Sequence, residues 1–312
     1  PFHYIDTARI YAGGKTERIV GTVLQKLQTT DNLRVGTKAA PSVKPGGLSE
    51  AGIRHQFQQS MEAMGLTGCD EYYLHQPDTE HELLESLKCA DSLLKEGKIK
   101  KIGMSNYHAS EVARAFSLCS EHNLTPPSVY QGLYNPLNRL VEDELLPLLK
   151  ENSCSFVAYN PLAAGLLTGK HKDVETVTKG RFKENQNYLP RFYTPANFEA
   201  LQLIQAECDK MNVSMVEATF RWLLCHSALD AEKDGFLLGA SSLKQLDENL
   251  AACKAAATGT PLPPEMLAAF DQAWALTRSG AFKYWRSYSS DMPDKETLDQ
   301  GASYNAAKTG KK

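Results

Sequence analysis

The chain alternates between short apolar runs and longer stretches in which apolar residues recur every three or four positions. The apolar runs suit buried strands, and they end near Thr7, Lys38, His75, Ser105, Leu133, Tyr159 and Gly239. The stretches between them suit amphipathic helices, for example from Glu80 to Lys95, from His108 to His122 and from Glu142 to Glu151. A further helix is expected to begin at Ser49, whose hydroxyl suits an N-cap. This alternation predicts an α/β fold with a parallel sheet and right-handed crossovers.

The fold that suits this pattern is the (β/α)8 TIM barrel. The chain has 312 residues, and one such barrel takes about 250 residues. A complete barrel has eight strands, whereas we count seven apolar runs, the first of which begins at residue 2. We therefore expect the first strand of the barrel to be missing from this chain, which would leave an unpaired edge.

Two segments interrupt the alternation. The loop from Thr168 to Pro195 is long and polar, and loops of this length in a compact domain are usually functional lids or disordered. Residues 287–312 are also polar, end in two lysines and show no apolar periodicity. We expect one barrel domain over residues 1–286, followed by a disordered tail over residues 287–312.

Composition argues against several classes of protein. A net charge of −3 and a pI near 6.3 are untypical of a nucleic-acid-binding surface. No apolar run reaches the roughly 18 residues that a membrane-spanning helix needs. The seven cysteines are scattered and include no Cys-x-x-Cys pair, which favours a reducing compartment and a cytoplasmic location. The histidines lack metal-ligand spacing, so no metal is expected.

Two common nucleotide-binding motifs are missing from the sequence. No Gly-x-Gly-x-x-Gly follows any predicted strand, which disfavours a Rossmann dinucleotide site. Gly14-Lys15-Thr16 resembles the end of a P-loop, but Arg9 stands where that motif requires its first glycine. A nucleoside triphosphatase is therefore disfavoured as well.

Polar residues at the ends of three predicted strands point to the chemistry. The strand ends carry Asp6, Lys38 and His75, and Tyr11 follows the first of them. In a barrel these ends share the face that bears the active site. A tyrosine has a pKa of about 10, and a nearby lysine cation lowers it toward neutral pH. With Asp6 to hold Lys38, Tyr11 is predicted to be a proton donor for chemistry on a carbonyl.

Six motifs in the order of the chain resemble the aldo-keto reductase superfamily. They are Asp6-Thr7-Ala8 with Tyr11 and Glu17, Thr37-Lys38, Tyr73–Asp78, Ile102–Tyr107, Tyr159–Leu162 with Gly165–Lys170, and Gly239–Ser242 continuing to Asn249. The resemblance covers nearly the whole chain and implies a TIM barrel. It also implies an NADP-dependent oxidoreductase in which hydride reaches the carbonyl carbon while Tyr11 protonates the oxygen. His75 would hydrogen-bond that oxygen and position the substrate.

Within the superfamily, the sequence looks most like the aflatoxin aldehyde reductase group, or family 7. The supporting residues are Gly180-Arg181-Phe182, Tyr188, Arg191 and Tyr284-Trp285-Arg286. That group reduces aldehydes, including dialdehydes, semialdehydes and aromatic aldehydes, with NADPH. Arg286 would face the substrate pocket and bind a carboxylate through two parallel hydrogen bonds, and Tyr188 would line the same pocket.

The resemblance also assigns the residues that bind the cofactor. Ser105, Asn106 and Gln131 would hold the nicotinamide carboxamide, and Tyr159 would stack on its ring. The pyrophosphate loop would use Asn160, Pro161, Leu162, Gly165, Leu167, Gly169 and Lys170. The adenosine half would use Ser241, Ser242, Gln245, Glu248 and Asn249, with Arg181 and Arg191 supplying positive charge.

Ser241 and Ser242 lie where a helix is expected to begin, and a helix N-terminus favours a phosphate. This position favours NADP over NAD, although Gln245 stands where many members of the superfamily carry a basic residue. The sequence leaves two other functions open. The chain could be an NADPH-binding regulatory subunit related to potassium-channel β-subunits, or an inactive fragment. It also leaves a monomer and a homodimer open, and names no particular aldehyde.

Overall fold

The fold is described from a computed structural model, in which residues 3–27, 33–171, 182 and 188–302 are described. The strands within these residues are β1 Tyr4–Asp6, β2 Arg34–Ala39, β3 Cys69–Leu74, β4 Ile99–Ser105, β5 Val129–Leu133, β6 Ser155–Tyr159 and β7 Gly235–Phe236. Apart from the short β7, which ends three residues before Gly239, they end within one residue of the predicted positions. Lys38 and His75 therefore stand at strand ends because the apolar runs before them form strands.

Helices fill the connections between these strands. They are α1 Lys15–Lys26, α2 Glu50–Met64, α3 Leu83–Lys95, α4 Ala109–Glu121, α5 Leu145–Glu151, α6 Leu189–Phe192, α7 Pro195–Met211, α8 Met215–Cys225, α9 Leu243–Thr258 and α10 Pro264–Thr277. Short 3₁₀ turns cover Tyr11–Gly14, Leu140–Glu142, Ala163–Thr168 and Arg278–Gly280. The predicted cap of α2 is confirmed, since the Ser49 hydroxyl accepts a hydrogen bond from the Gly52 amide.

The strands form one parallel sheet in the order of the chain, β1 to β7. Paired positions include Asp6 with Gly36, Lys38 with Tyr73 and Ser105 with Gln131. Parallel strands in chain order with helical connections are the arrangement of a (β/α)8 barrel, here with seven strands among the described residues. The predicted fold class is confirmed.

The chain divides into two compact units. The first runs up to Gln131 and adds Leu148–Ser155 and Trp285–Gly301, and the second consists of Gly132–Pro147 and Phe156–Tyr284 with Ala302 onward. Each unit has apolar side chains in its interior. Ile53, Leu87 and Ile102 are buried in the first, and Ile204, Phe220 and Phe270 are buried in the second. None of the described helices is long and apolar enough to cross a membrane.

The segment after Arg286 differs from the expected disordered tail over residues 287–302. The Ser289 amide donates to Glu111 Oε1 at 2.8 Å, and Arg114 Nη2 donates to Asp291 Oδ2 at 2.5 Å. Polar contacts with α4 hold this segment although it lacks apolar periodicity, and the partners lie far away in sequence. The remainder of the predicted tail, residues 303–312, lies outside the described residues.

Candidate active site

Lys38 is fully buried at the end of β2 and makes an ion pair with Asp6 at the end of β1. Its Nζ donates to Asp6 Oδ1 at 2.6 Å and to the Thr7 carbonyl oxygen at 2.8 Å. Burial lowers the pKa of Lys38 below its ordinary value, and the Asp6 carboxylate raises it again in part. Asp6 therefore holds and stabilises the ammonium group, as the sequence predicts.

Tyr11 and His75 lie beside this ion pair. The Lys38 Nζ is 5.4 Å from the centroid of the Tyr11 ring. The rings of Tyr11 and His75 meet edge to face, with their centroids 5.8 Å apart. The structure thus brings all four predicted catalytic side chains together in the first unit, although residues 6 and 75 are far apart in sequence.

A buried glutamate connects the turn that carries Tyr11 to the strand that carries Lys38. Glu17, in the first turn of α1, accepts hydrogen bonds from Arg9 Nη1 at 2.8 Å and from Thr37 Oγ1 at 2.8 Å. Arg9 lies two residues before Tyr11, and Thr37 immediately precedes Lys38. Because Glu17 is fully buried, these hydrogen bonds fix the turn that carries Tyr11 relative to Lys38.

The residues predicted to hold the nicotinamide carboxamide border the same four side chains. Asn106 has a φ of 63°, and its Nδ2 donates to the His75 carbonyl oxygen at 2.8 Å and to Ser105 Oγ at 2.9 Å. Gln131 Nε2 donates to Asp6 Oδ1 at 2.9 Å. Gln131 is therefore already a partner of the ion pair, which the sequence did not predict.

Arg286 is also part of this group of residues. Its backbone amide donates to the Asn106 carbonyl oxygen at 3.0 Å, and its side chain is only 9% exposed. The positive charge of Arg286 contributes to lowering the pKa of His75. Arg286 is therefore a buried cation close to the predicted catalytic residues rather than a solvated surface arginine.

His75 is uncharged at neutral pH. Burial, followed by the charges of Lys38 and Arg286, lowers its pKa from 6.5 to about 3. Among the described residues, its Nδ1 is buried without a hydrogen-bond partner. A neutral imidazole can donate one hydrogen bond to a carbonyl oxygen, which fits the predicted positioning role.

The low pKa of His75 predicts an effect of acid on stability. The unfolded chain binds a proton at this residue as the pH falls through 6.5, whereas the folded chain binds it only near pH 3. The folded state therefore loses stability across that window. We expect His75→Gln to lose less unfolding free energy than the wild type between these two pH values, measured by urea denaturation. An equal loss in both proteins would contradict a neutral His75.

The predicted pyrophosphate loop lies in the second unit. Within the 3₁₀ turn Ala163–Thr168, Ala163 and Ala164 have φ values of 48° and 59°, and Gly165 has a φ of 111°. Consecutive left-handed residues can point backbone amides toward an anion. A Cβ built at Gly165 would have no atom within 4 Å, so this loop is open enough for a close approach by phosphate. Lys170 follows the turn, and its side chain is 58% exposed.

The predicted adenosine residues are at the start of α9. Ser242 caps the helix by accepting from the Gln245 amide at 3.2 Å, and Asn249 Nδ2 donates to the Gly239 carbonyl oxygen at 3.2 Å. The side-chain oxygen of Gln245 accepts from both the amide and the hydroxyl of Ser241. Gln245 therefore braces the serine turn, while Ser241 and Ser242 remain exposed at a helix N-terminus.

The long loop is described only in part. Arg181 lies outside the described residues. Tyr188 stacks on Phe192 with ring centroids 5.8 Å apart, and the Arg191 guanidinium lies 3.9 Å from the centroid of the Phe282 ring. These contacts are all within the second unit, and the roles of Tyr188 and Arg191 stay predictions. Among the described residues, no cluster of three metal-ligating side chains occurs.

Comparison with known proteins agrees with this geometry. The model of the Aldo/keto reductase family matches residues 2–275. The chain belongs to this family. It is 39% identical to aldo-keto reductase family 7 member A3 of Homo sapiens over 298 residues, covering 90% of this chain and 87% of that protein.

Two aflatoxin aldehyde reductases are also similar to the chain. Aflatoxin B1 aldehyde reductase member 2 of Rattus norvegicus is 37% identical over 298 residues, covering 90% of this chain and 79% of that protein. Member 4 of Homo sapiens is 38% identical over 284 residues, covering 87% of this chain and 84% of that protein. The predicted family and group are confirmed, and the chain is an oxidoreductase.

Sequence reasoning missed two buried polar side chains next to Lys38. Glu71 and Tyr73 lie on β3 with their side chains on the same face as His75, because residues two apart on a strand share a face. Tyr4 and Asp6 share a face of β1 in the same way. The alternation of side chains along β1 and β3 is the sequence signal that points to these residues.

Proposed function

We propose that this protein reduces aldehydes to alcohols with NADPH and that Tyr11 is the proton donor. The observation that carries the proposal is the fully buried Lys38 ammonium between Asp6 and Tyr11, held by a 2.6 Å ion pair. A phenol beside a fixed cation loses its proton more readily than an isolated one. The comparisons with aflatoxin aldehyde reductases support the same class of substrate.

Each catalytic side chain has a role that follows from its surroundings. When bound, NADPH supplies the hydride that reaches the carbonyl carbon. Tyr11 gives its phenolic proton to the carbonyl oxygen, and the resulting phenolate is stabilised by Lys38. Neutral His75 hydrogen-bonds the same oxygen and orients the carbonyl. Asp6 keeps the ammonium of Lys38 in place throughout.

Each unit by itself carries polar groups of a kind that binds parts of a nicotinamide cofactor. In the first unit, Ser105 and Asn106 provide hydroxyl and amide groups for a carboxamide beside the catalytic residues. In the second, the turn at Ala163–Thr168 and the exposed N-terminus of α9 suit phosphate groups. A 2′-phosphate near Ser241 and Ser242 would account for a preference for NADPH over NADH.

Arg286 supports an aldehyde that also bears a carboxylate, such as succinic semialdehyde. Arg286 is buried near His75, and a guanidinium binds a carboxylate through two parallel hydrogen bonds. An aldehyde with a carboxylate a few bonds away could place its carbonyl at Tyr11 and its charge at Arg286. This pair of groups supports the proposed class of substrate.

Replacing Arg286 with methionine should separate charged from uncharged substrates. We expect KM for succinic semialdehyde to rise by about 10- to 100-fold, because a charge-assisted hydrogen bond contributes about 1.5–3 kcal/mol. The kinetic constants for the uncharged 4-nitrobenzaldehyde should change by less than about threefold, because that substrate makes no such contact. Parallel steady-state kinetics with both aldehydes measure this. Equal losses for both would contradict the carboxylate role.

The proposed function is tested by the initial rate of NADPH oxidation with a small set of aldehydes. We expect turnover with succinic semialdehyde and 4-nitrobenzaldehyde, and a higher kcat/KM for NADPH than for NADH. Tight binding of NADPH without turnover on any aldehyde would overturn the enzymatic role and favour a regulatory subunit. Equal kcat/KM for the two cofactors would overturn the NADPH preference alone.

A further inference from the structure

A second set of polar side chains, distinct from the four predicted catalytic residues, lies beside Lys38 and contacts it through the ring of Tyr73. The Lys38 Nζ is 5.2 Å from the centroid of the Tyr73 ring. The Tyr73 hydroxyl donates to Glu71 Oε2 at 2.5 Å, and the Tyr4 hydroxyl donates to the same oxygen at 2.8 Å. Tyr4, Glu71 and Tyr73 are called the Glu71 cluster below.

The Glu71 cluster is buried and its polar atoms are partnered. Tyr73 is fully buried and Glu71 is 5% exposed. Burial and the Glu71 charge raise the pKa of both phenols above the ordinary value, so both hydroxyls stay donors. Glu71 Oε1 also lies 3.7 Å from Lys101 Nζ. Donors beside both oxygens are what a buried carboxylate needs.

Two glycines leave room for the cluster in the sheet. A Cβ at Gly103, which pairs with Tyr73, would lie 2.3 Å from the Tyr73 ring. A Cβ at Gly36 would lie 2.1 Å from the Tyr4 hydroxyl. Any other residue at these positions would displace the two rings. The positions of these rings are therefore set by the neighbouring strands.

The ammonium of Lys38 lies close to two aromatic rings. The Lys38 Nζ is 5.4 Å from the centroid of the Tyr11 ring and 5.2 Å from the centroid of the Tyr73 ring. Both distances are within the range of cation–π attraction, about 6 Å. Asp6 and the Thr7 carbonyl take two of the three ammonium protons. The ring of Tyr73 therefore attracts the cation and helps to fix its position.

We propose that Tyr73 and Glu71 are positioning residues for aldehyde reduction: the Tyr73 ring holds the Lys38 ammonium beside Tyr11, and the Glu71 carboxylate, which accepts from the Tyr73 hydroxyl, supplies a negative charge beside that ring. The catalytic part of this proposal rests on the proposed function, in which Tyr11 is the acid. Neither residue touches the reacting atoms. Both act on the substrate only through Lys38.

Several charged and titratable groups face Lys38, and the proposal concerns two of them, Glu71 and Tyr73. The groups are Asp6 from β1, Tyr11 from its 3₁₀ turn, Glu17 from α1, and Glu71, Tyr73 and His75 from β3 and its end. Asp6, Glu71 and Glu17 raise the pKa of Lys38 and oppose the effect of burial. Removing the Glu71 charge alone therefore lowers the pKa of Lys38 further.

The experiment compares Glu71→Gln with the wild type and with Tyr4→Phe. Glu71→Gln keeps the size and a hydrogen-bond acceptor but removes the charge, whereas Tyr4→Phe keeps both the charge and the Tyr73 ring. We expect the alkaline limb of the kcat/KM profile to move to lower pH by about 0.5–1 unit in Glu71→Gln. Tyr4→Phe should keep the wild-type profile.

A direct titration of Lys38 makes this test independent of turnover. The ¹³Cε resonance of Lys38, assigned by its loss in Lys38→Arg, should titrate at a lower pH in Glu71→Gln than in the wild type. Unchanged titration in a folded Glu71→Gln protein would overturn the proposal. Absence of turnover in the wild type would overturn the proposed function instead, so the two failures are distinguishable.

A second pair of variants tests the positioning role of the Tyr73 ring. This test remains available if Glu71→Gln does not fold. Tyr73→Leu removes the ring and should lower kcat by about three- to tenfold with KM unchanged, and Tyr73→Phe, which keeps the ring, should restore most of that loss. Equal kcat values in Tyr73→Leu and Tyr73→Phe would overturn the positioning role of the ring.

Discussion

Replacing Tyr11 with phenylalanine should lower kcat for aldehyde reduction by about 10²- to 10⁴-fold, the usual contribution of a general acid. The affinity for NADPH should stay within about twofold of the wild type, because the change removes only the phenolic oxygen. Tyr11 is 36% exposed, so the fold should tolerate the loss of one hydroxyl. Steady-state kinetics and a fluorescence titration with NADPH measure the two quantities.

Tyr4→Phe is the matched control for this variant. It also removes one phenolic hydroxyl from the first unit, at a tyrosine that hydrogen-bonds Glu71 rather than facing the predicted substrate position. It should keep kcat within about threefold of the wild type. A Tyr11→Phe protein that retains most of its turnover would show that another group donates the proton.

Replacing Lys38 with methionine should lower kcat by about 10²- to 10³-fold and also destabilise the protein. Without the ammonium, the Tyr11 phenolate loses the cation that would stabilise it, which makes Tyr11 a poorer acid at neutral pH. Asp6, whose side chain is 12% exposed, would lose its ion partner. Leaving one charge of a largely buried pair uncompensated should cost about 2–4 kcal/mol of unfolding free energy.

A double variant separates the two effects of losing Lys38. Changing Asp6→Asn together with Lys38→Met removes the uncompensated charge, so most of the lost unfolding free energy should return. The loss of kcat should remain, because Tyr11 still lacks its cation. Urea denaturation and steady-state kinetics on both variants measure this. Recovery of activity along with stability would show that Lys38 serves the fold rather than the reaction.

The parts of the site that could be predicted from the sequence are those that depend on the local pattern of apolar and polar residues. The apolar runs before Asp6, Lys38 and His75 form β1, β2 and β3, and parallel strands bring their ends to one place. The pairing of Lys38 with Asp6 follows from that placement. The order of the six motifs along the chain predicted the family, and the comparisons confirm that prediction.

What could not be predicted depends on contacts between distant residues. The segment after Arg286 looks disordered because its own sequence is polar, yet Glu111 and Arg114 hold it. Gln131 was assigned to a cofactor, but its amide also hydrogen-bonds Asp6. Neither partner can be deduced from spacing alone, since both depend on the register of strands and on long-range side-chain contacts.

The central claim is that these residues form a working aldehyde reductase, and a single-turnover experiment tests it most directly. Protein in excess over NADPH is mixed with succinic semialdehyde, and NADPH absorbance and 4-hydroxybutyrate are followed together. We predict one hydroxybutyrate formed for each NADPH consumed, in a phase that the Tyr11→Phe protein lacks. NADPH that binds but is not consumed by the wild type would contradict the account.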